Sequence, residues 1–283
     1  MRTMVVAFAG WPDAAESATT ALKHLVRKLP ATKFAEIDPE EFYDFTNVRP
    51  QTLVNEEGER EIHWPANDFY SYAPDDGSDG LLLYVGTEPN LKWRTFSGIL
   101  LNVAEMCGVE MVVSLGALLD AVPHTREPLI TGNANAPGLS QKVEWLGIRS
   151  SGYQGPTGIH TAFMSACVTQ GLSHASIWGH SPHYLTSSPN SLVSHALLAR
   201  LRTLVEIDVD LDELRELGEA FSSEVTKAVN SQADVTAYVK KLEERFDASE
   251  PDPGEIPSPD AMVAELEEFL RSQRPRMDPQ DDQ

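Results

Sequence analysis

Four short apolar runs, each followed by a helical pattern, constrain this chain more than any other feature. Met4–Ala9 reads "MVVAFA", Leu81–Gly86 "LLLYVG", Met111–Leu119 "MVVSLGALL" and His174–Leu185 "HASIWGHSPHYL". The segments behind them are "AAESATTALKHLVRKL", "WRTFSGILLNVAEMCG", "LSQKVEWLG" and "NSLVSHALLARLRTLV". In the first, Ala18, Leu22, Leu25, Val26 and Leu29 recur at helical spacing. Continuously apolar strands alternating with helices predict an α/β fold, a mostly parallel sheet with helices on both faces. Gln51–Tyr72, "QTLVNEEGEREIHWPANDFYSY", departs from this pattern: "NEEGE" predicts a turn joining two antiparallel strands, a β-hairpin insertion near 51–72.

Charge divides the chain. From Glu206 onward there are 22 acidic and 8 basic residues, a balance of −14 out of −21 for the whole chain. We therefore read 1–205 as the α/β core and 206–247 as an acidic helical hairpin. Its two apolar stripes are Leu211, Leu214, Leu217, Phe221 and Val225, then Val235, Tyr238, Val239, Leu242 and Phe246. Asp210 with Glu213, and Ser231 with Asp234, have capping-box spacing. Residues 248–259 form a Pro-rich linker and 260–283 a short helix and frayed tail.

The acidic balance, with a pI near 4.6, argues against nucleic acid or an anionic membrane as partner. Cys107 and Cys167 sit in apolar runs and read as core thiols in a reducing compartment. No segment approaches the ~20 apolar residues of a membrane span, and no signal-peptide pattern is seen at the start. The expectation is a cytoplasmic protein.

In a parallel α/β sheet, ligand sites gather beyond the carboxyl ends of strands. Four polar loops are expected there: "GWPD", "GTEP", "VPHTREPLITG" (Val122 to Gly132) and "GHSPHY". Together with "SSGYQGPTGIH" (150–160) they suggest one cleft, lined by Asp13, Glu88, His124, Thr125, Arg126, Tyr153, Gly155, Thr157, Gly158, His183 and Tyr184. His160 and His180 join them as acid, base or anion-holding candidates. The glycine-rich stretch lacks the lysine of a phosphate loop and has no clean preceding strand, so it reads first as a tight turn. The amides of the helix behind it remain an alternative seat for an anion or a carboxylate. His180 and His183 have a helical metal-pair spacing, but Pro182 between them predicts a loop whose histidines bond to backbone. No nucleophile elbow, zinc-binding pair or reactive-cysteine context is present, and the reading includes no cofactor and no metal.

The loops also carry a resemblance. "AGWPDAAESATTALKHL", "YVGTEPNLKWRTF", "SLGALLDAVPHTREPLITG", "GYQGPTG" and "SIWGHSPHYLTSSPNSL" occur in the order found in the proteasome assembly chaperone 2 family. Over roughly residues 3 to 230 the chain resembles a bacterial member of it. The resemblance implies a phosphorylase/hydrolase-like α/β sheet followed by a helical hairpin, a tendency to form homo-oligomers, and proteasome subunits as partners. Relatives that dock on proteasome rings end in a hydrophobic-tyrosine-any-residue tail; this chain ends "RMDPQDDQ", which argues against docking by that tail. Two functions stand side by side: a non-catalytic assembly or interaction protein, and a small-molecule hydrolase or phosphorylase-like enzyme using the strand-end cleft.

Overall fold

A computed structural model describes residues 1–77, 79–186 and 189–248. The part of the linker and the last helix expected beyond Ala248 lie outside the described residues. An eight-stranded sheet forms the centre. Its strands are β1 (Thr3–Ala9), β2 (Thr32–Glu36), β5 (Asn67–Tyr72), β6 (Leu81–Thr87), β7 (Met111–Asp120), β8 (Ile130–Ala134), β9 (Arg149–Ser150) and β10 (Ser173–Pro182). Their order is β2-β5-β6-β1-β7-β10-β8-β9, and β3 (Gln51–Val54) pairs with β4 (Arg60–His63) in a separate two-stranded sheet. The four middle strands, β6, β1, β7 and β10, run parallel. They are the four apolar runs of the sequence.

Alternation along those strands assigns the two cores. Val5, Ala7, Leu83, Val113 and Ile177 face α1 (Ser17–Lys28), α3 (Pro137–Trp145) and α5 (Ser191–Leu204). Met4, Val6, Phe8, Leu82 and Tyr84 face α2 (Trp93–Met106) and α4 (Ile159–Thr169). At roughly 25 cal/mol per Å² of apolar surface removed from water, burial on both faces is the main stabilising contribution.

The sheet departs from the sequence reading in three places: the end of the loop read over Val122–Gly132 enters β8, which pairs antiparallel with β10, and two further segments differ. Asn67–Tyr72 does not belong to the hairpin; it joins the main sheet antiparallel to β6, leaving 51–63 as the two-stranded insertion. "HSPHY" is not all loop, because β10 runs through His180 and Ser181 to Pro182. Proline is tolerated there because His180 N–H, pointing toward the β8 side, bonds Leu129 O, and two residues on no strand faces position 182 from that side.

The acidic segment folds as α6 (Asp212–Asn230) and α7 (Ala233–Ala248). Neither expected capping box forms. Asp210 Oδ1 accepts from Asp212 N at 2.9 Å, while Glu213 reaches away to Arg27. Ser231 donates backward to Ala228 O at 2.6 Å. The expected stripe is also redrawn: Leu217 is exposed, while Leu211 and Leu214 belong to the α1/α5 core. Gly218 is the close-approach point, where a Cβ would lie 2.6 Å from Leu192 Cγ and 2.7 Å from Leu192 N at the start of α5. Backbone cannot yield as a side-chain tip can. Gly218→Ala is therefore expected to lower stability by about 1–3 kcal/mol in chemical denaturation; a change within about 0.5 kcal/mol would mean the two helices are not held in contact there.

Candidate functional site

All four polar loops leave the carboxyl ends of parallel strands, in adjacent pairs along the sheet. The loop after β6 meets the start of α4 together with Trp11 of the loop after β1, whose Asp13 lies under α1; the loops after β7 and β10 gather under α6 and α7. β7 and β10 pair through Asp120 and Pro182, whereas the β1 ladder on β7 ends at Leu115 with one further bridge from Asp13 to Ala117, so the second pair projects past the first. The candidate residues consequently form two clusters, one at the starts of α1 and α4 and one under α6 and α7.

In the first cluster, Asp13 is buried beneath the start of α1. Its Oδ1 accepts from Ala18 N at 2.7 Å and Thr19 N at 3.3 Å, and its Oδ2 takes the Thr19 hydroxyl. Burial raises its pKa, and these hydrogen bonds pull it back. The carboxylate thus satisfies helix amides behind Ala15 and Glu16, two non-glycine residues with φ near +49° and +48°. Glu88 does the same for α4: Oε1 accepts from Ile159 N at 2.8 Å. Its pKa too is raised by burial and lowered by the amides of Ile159 and Trp11. The seat that sequence left open to an outside anion therefore holds the chain's own carboxylate. Gly158 allows it, since a Cβ there would lie 2.9 Å from Glu88 Oε1 and 3.1 Å from the Trp11 ring.

The glycine-rich stretch braces itself. Tyr153 hydroxyl donates to Pro156 O at 3.0 Å and its ring covers Gly155, whose Cβ would fall 2.5 Å from that hydroxyl. Thr157 Oγ1 lies 3.5 Å from Gly158 O. Tyr153, Gly155 and Thr157 are exposed.

His160 is buried between the Phe8 and Trp178 rings, at centroid distances of 5.3 and 4.9 Å, and among the described residues neither ring nitrogen has a hydrogen-bond partner. Burial lowers its pKa to about 3. His174, also buried, has its Nε2 2.9 Å from Ser114 Oγ, and burial lowers its pKa to about 4.

The second cluster is a seat for the helical hairpin. Arg126 makes a two-pronged ion pair with Asp247, Nε to Oδ1 at 2.8 Å and Nη2 to Oδ2 at 2.7 Å, and Nη1 reaches Glu243 at 3.3 Å. The guanidinium holds the Asp247 carboxyl below its ordinary range. Thr125 hydroxyl donates to the same Glu243. Ser222 hydroxyl donates to His124 O at 3.2 Å.

Partners fix the tautomers here. Thr226 hydroxyl donates to Ser222 O at 2.8 Å, so toward His124 Nε2, 3.1 Å away, it accepts. His124 therefore carries its proton on Nε2, and Nδ1 accepts from Tyr184 hydroxyl at 2.8 Å. Burial lowers the His124 pKa and pushes that of Tyr184 up to about 12. His183 has the opposite tautomer: Nδ1 faces Asp120 O at 3.1 Å and donates, leaving Nε2 to the Tyr238 hydroxyl of α7 at 3.0 Å.

Sequence reasoning missed Asp120 and Thr131. Asp120 ends β7, and its Oδ2 accepts from His180 Nδ1 at 2.7 Å, while His180 Nε2 lies 2.9 Å from Thr131 Oγ1. Carboxylate, imidazole and hydroxyl in this order also make hydrolytic triads. All three residues are buried here, and the crevice that His180 helps line between the 122–129 loop, α5 and α6 has a free volume of about 20 Å³, space for about one water. A polar residue closing a strand was the available signal. Among the described residues no group of three or more His, Cys, Asp or Glu side chains is placed to hold a metal ion, and no helix is long and apolar enough to cross a membrane.

Fold and site together define a mostly parallel α/β protein whose C-terminal helices close over the ends of two central strands. The PAC2 family model matches residues 7–229. The chain belongs to the PAC2 family. A PAC2 family protein from Streptomyces avermitilis is 36% identical, with 84% of this chain and 100% of that one covered and a TM-score of 0.75. A proteasome-assembly chaperone homologue from Mycobacterium tuberculosis is 35% identical over 84% of this chain and 99% of its own, also at 0.75. An archaeal proteasome activator from Pyrococcus furiosus shares the fold, at 18% identity, coverage of 80% and 93% and a TM-score of 0.63. No curated protein matches the chain.

The buried histidines give a pH dependence. A histidine whose folded pKa lies below its unfolded value of 6.5 binds fewer protons in the native state. Its stabilisation is complete above pH 6.5 and is lost as pH falls from there toward the folded values near 3 and 4. Going from pH 7 to 5.5 should cost about 1 kcal/mol per histidine, partly offset by Asp13 and Glu88, whose raised pKa values favour folding on acidification. In denaturation at both pH values, His160→Phe is expected to reduce the loss by about 1 kcal/mol, the rest belonging to His174 and to His124 and His195, whose pKa values are also lowered by burial; an unchanged loss would place the responsible protonation elsewhere.

Proposed function

We propose that this protein is a non-catalytic binding protein of proteasome assembly, which holds proteasome subunits before they enter the finished particle. The observation that carries the proposal is its family membership together with its identity to the Mycobacterium tuberculosis proteasome-assembly chaperone homologue. The site geometry supports it. His124, Thr125, Arg126, His183 and Tyr184, the residues a strand-end enzyme would use, have their polar groups committed to the helical hairpin or to its seat. Glu88 and Asp13 are committed to helix amides. Residence in the cytoplasm and association of the chain with itself belong to the same reading.

Co-expression with the α-type proteasome subunits of the source organism tests it. Native mass spectrometry is expected to find this chain bound to free α subunits or partial rings and absent from the completed particle. No complex at concentrations on the order of 10 μM would contradict the proposal. So would small-molecule hydrolysis by the purified chain that Thr131→Val abolishes without lowering its melting temperature.

A further inference from the structure

The β3–β4 hairpin is the part of the described structure least explained by the protein's own packing. All eight of its strand residues are exposed. Thr52 is opposite Ile62 and Val54 opposite Arg60, so Val54 and Ile62 share one face, at 65% and 59% exposure, while Leu53 points to the other at 48%. Trp64, just past β4, is 48% exposed and rests one edge on Phe45 at a centroid distance of 4.9 Å. A two-stranded hairpin with nothing against either face is marginal in water. Here both ends are nevertheless built firmly. At the tip, Asn55 Oδ1 accepts from Glu57 N at 3.1 Å and Glu59 N at 2.8 Å, and Gly58 supplies a φ of +83°. At the base, buried Asn67 accepts on its Oδ1 from Tyr84 hydroxyl at 2.8 Å and Thr87 N at 3.3 Å, with Tyr43 hydroxyl at 2.7 Å, fixing the chain at the carboxyl end of β6. A preorganised arm with bare apolar faces and unpaired strand edges is suited to strand addition or side-chain docking.

The charge around the arm selects its occupant. Between Asp38 and His63 there are 8 acidic residues against the two arginines Arg49 and Arg60. Among the described residues, Glu56, Glu57 and Glu59 at the tip make no ion pair. A second copy offering the same patch would bring like charges together, in a chain already at −21. We infer that the β3–β4 hairpin is the docking arm for a protein partner whose contact segment is extended, apolar at alternate positions and rimmed by lysine or arginine. The inference rests on the reading as a binding protein and adds the contact surface and the partner's chemistry.

The full chain and a Val54→Ser/Ile62→Ser variant, first compared for melting temperature, form the test. Both positions are exposed, so the variant is expected to melt with the wild type; if it does not, Glu56→Gln/Glu57→Gln/Glu59→Gln replaces it. The probes are a decapeptide alternating valine with lysine, its valine–glutamate counterpart, and the α-type proteasome subunits. The basic peptide is expected to change Trp64 fluorescence, to bind at least tenfold more weakly to the variant, and to weaken with added salt; the acidic peptide is expected not to bind. Equal binding of the basic peptide by both proteins, or binding by neither, overturns the inference. Concentration-dependent self-association that the substitutions abolish also overturns it, by naming a second copy as occupant. If α subunits bind wild type and variant alike, the docking arm is refuted while the proposed function stands. If α subunits bind neither, the proposed function fails and the peptide result alone decides the arm.

Discussion

The pairing of β7 with β10 over their full length is the constraint from which the rest of the architecture follows. The β1 ladder on β7 ends at Leu115, with one further bridge from Asp13 to Ala117, and β8 accompanies β10 only to Gly179, so the last residues of β7 and β10 reach past their neighbours as a ledge carrying Asp120 and His180. Asp120 takes His180 on its carboxylate and His183 on its carbonyl, and His183 passes the connection to Tyr238 on α7. Buried polar groups of this kind are costly unless paired, so the ledge and the helices are complementary by necessity as well as by packing. The apolar contribution comes from Leu211 and Leu214, which enter the α1/α5 core.

The same logic operates at the helix starts, with their free amides as the donors. Unsatisfied amides at the starts of α1 and α4 are met by Asp13 and Glu88, each delivered by the loop that follows a parallel strand. Strand-end loops that would surround a ligand in many α/β enzymes are here turned inward upon the protein. Apolar surface is left exposed at the periphery, above all on the β3–β4 hairpin, which is the arrangement a binding protein needs.

Most of the fold was legible in the sequence because its signals are local. Four continuous apolar runs gave the four parallel strands, and helical periodicity placed α1, α2 and α5. β2 and β9 were not legible: Thr32–Glu36 is almost wholly exposed and β9 has two residues, so neither has a burial pattern to read. The roles of the candidate residues were less accessible. His124 and Arg126 were correctly placed at a strand end, but their partners, Thr226 and Asp247, lie some hundred residues away in a segment whose own pattern indicates only an amphipathic hairpin. Gly218 contributed no hydrophobic signal, yet it is the point of closest approach to α5, and Leu217 beside it remains exposed.

The loops after β7 and β10 seat the C-terminal helices. Hydrogen–deuterium exchange on an Arg126→Ala/His183→Phe variant tests this seating most directly. Faster exchange is expected across α7 while Val5–Phe8 of β1 and Leu82–Tyr84 of β6 keep wild-type protection. Unchanged protection of α7 would contradict it, because the helices would then be held without the residues assigned to their seat.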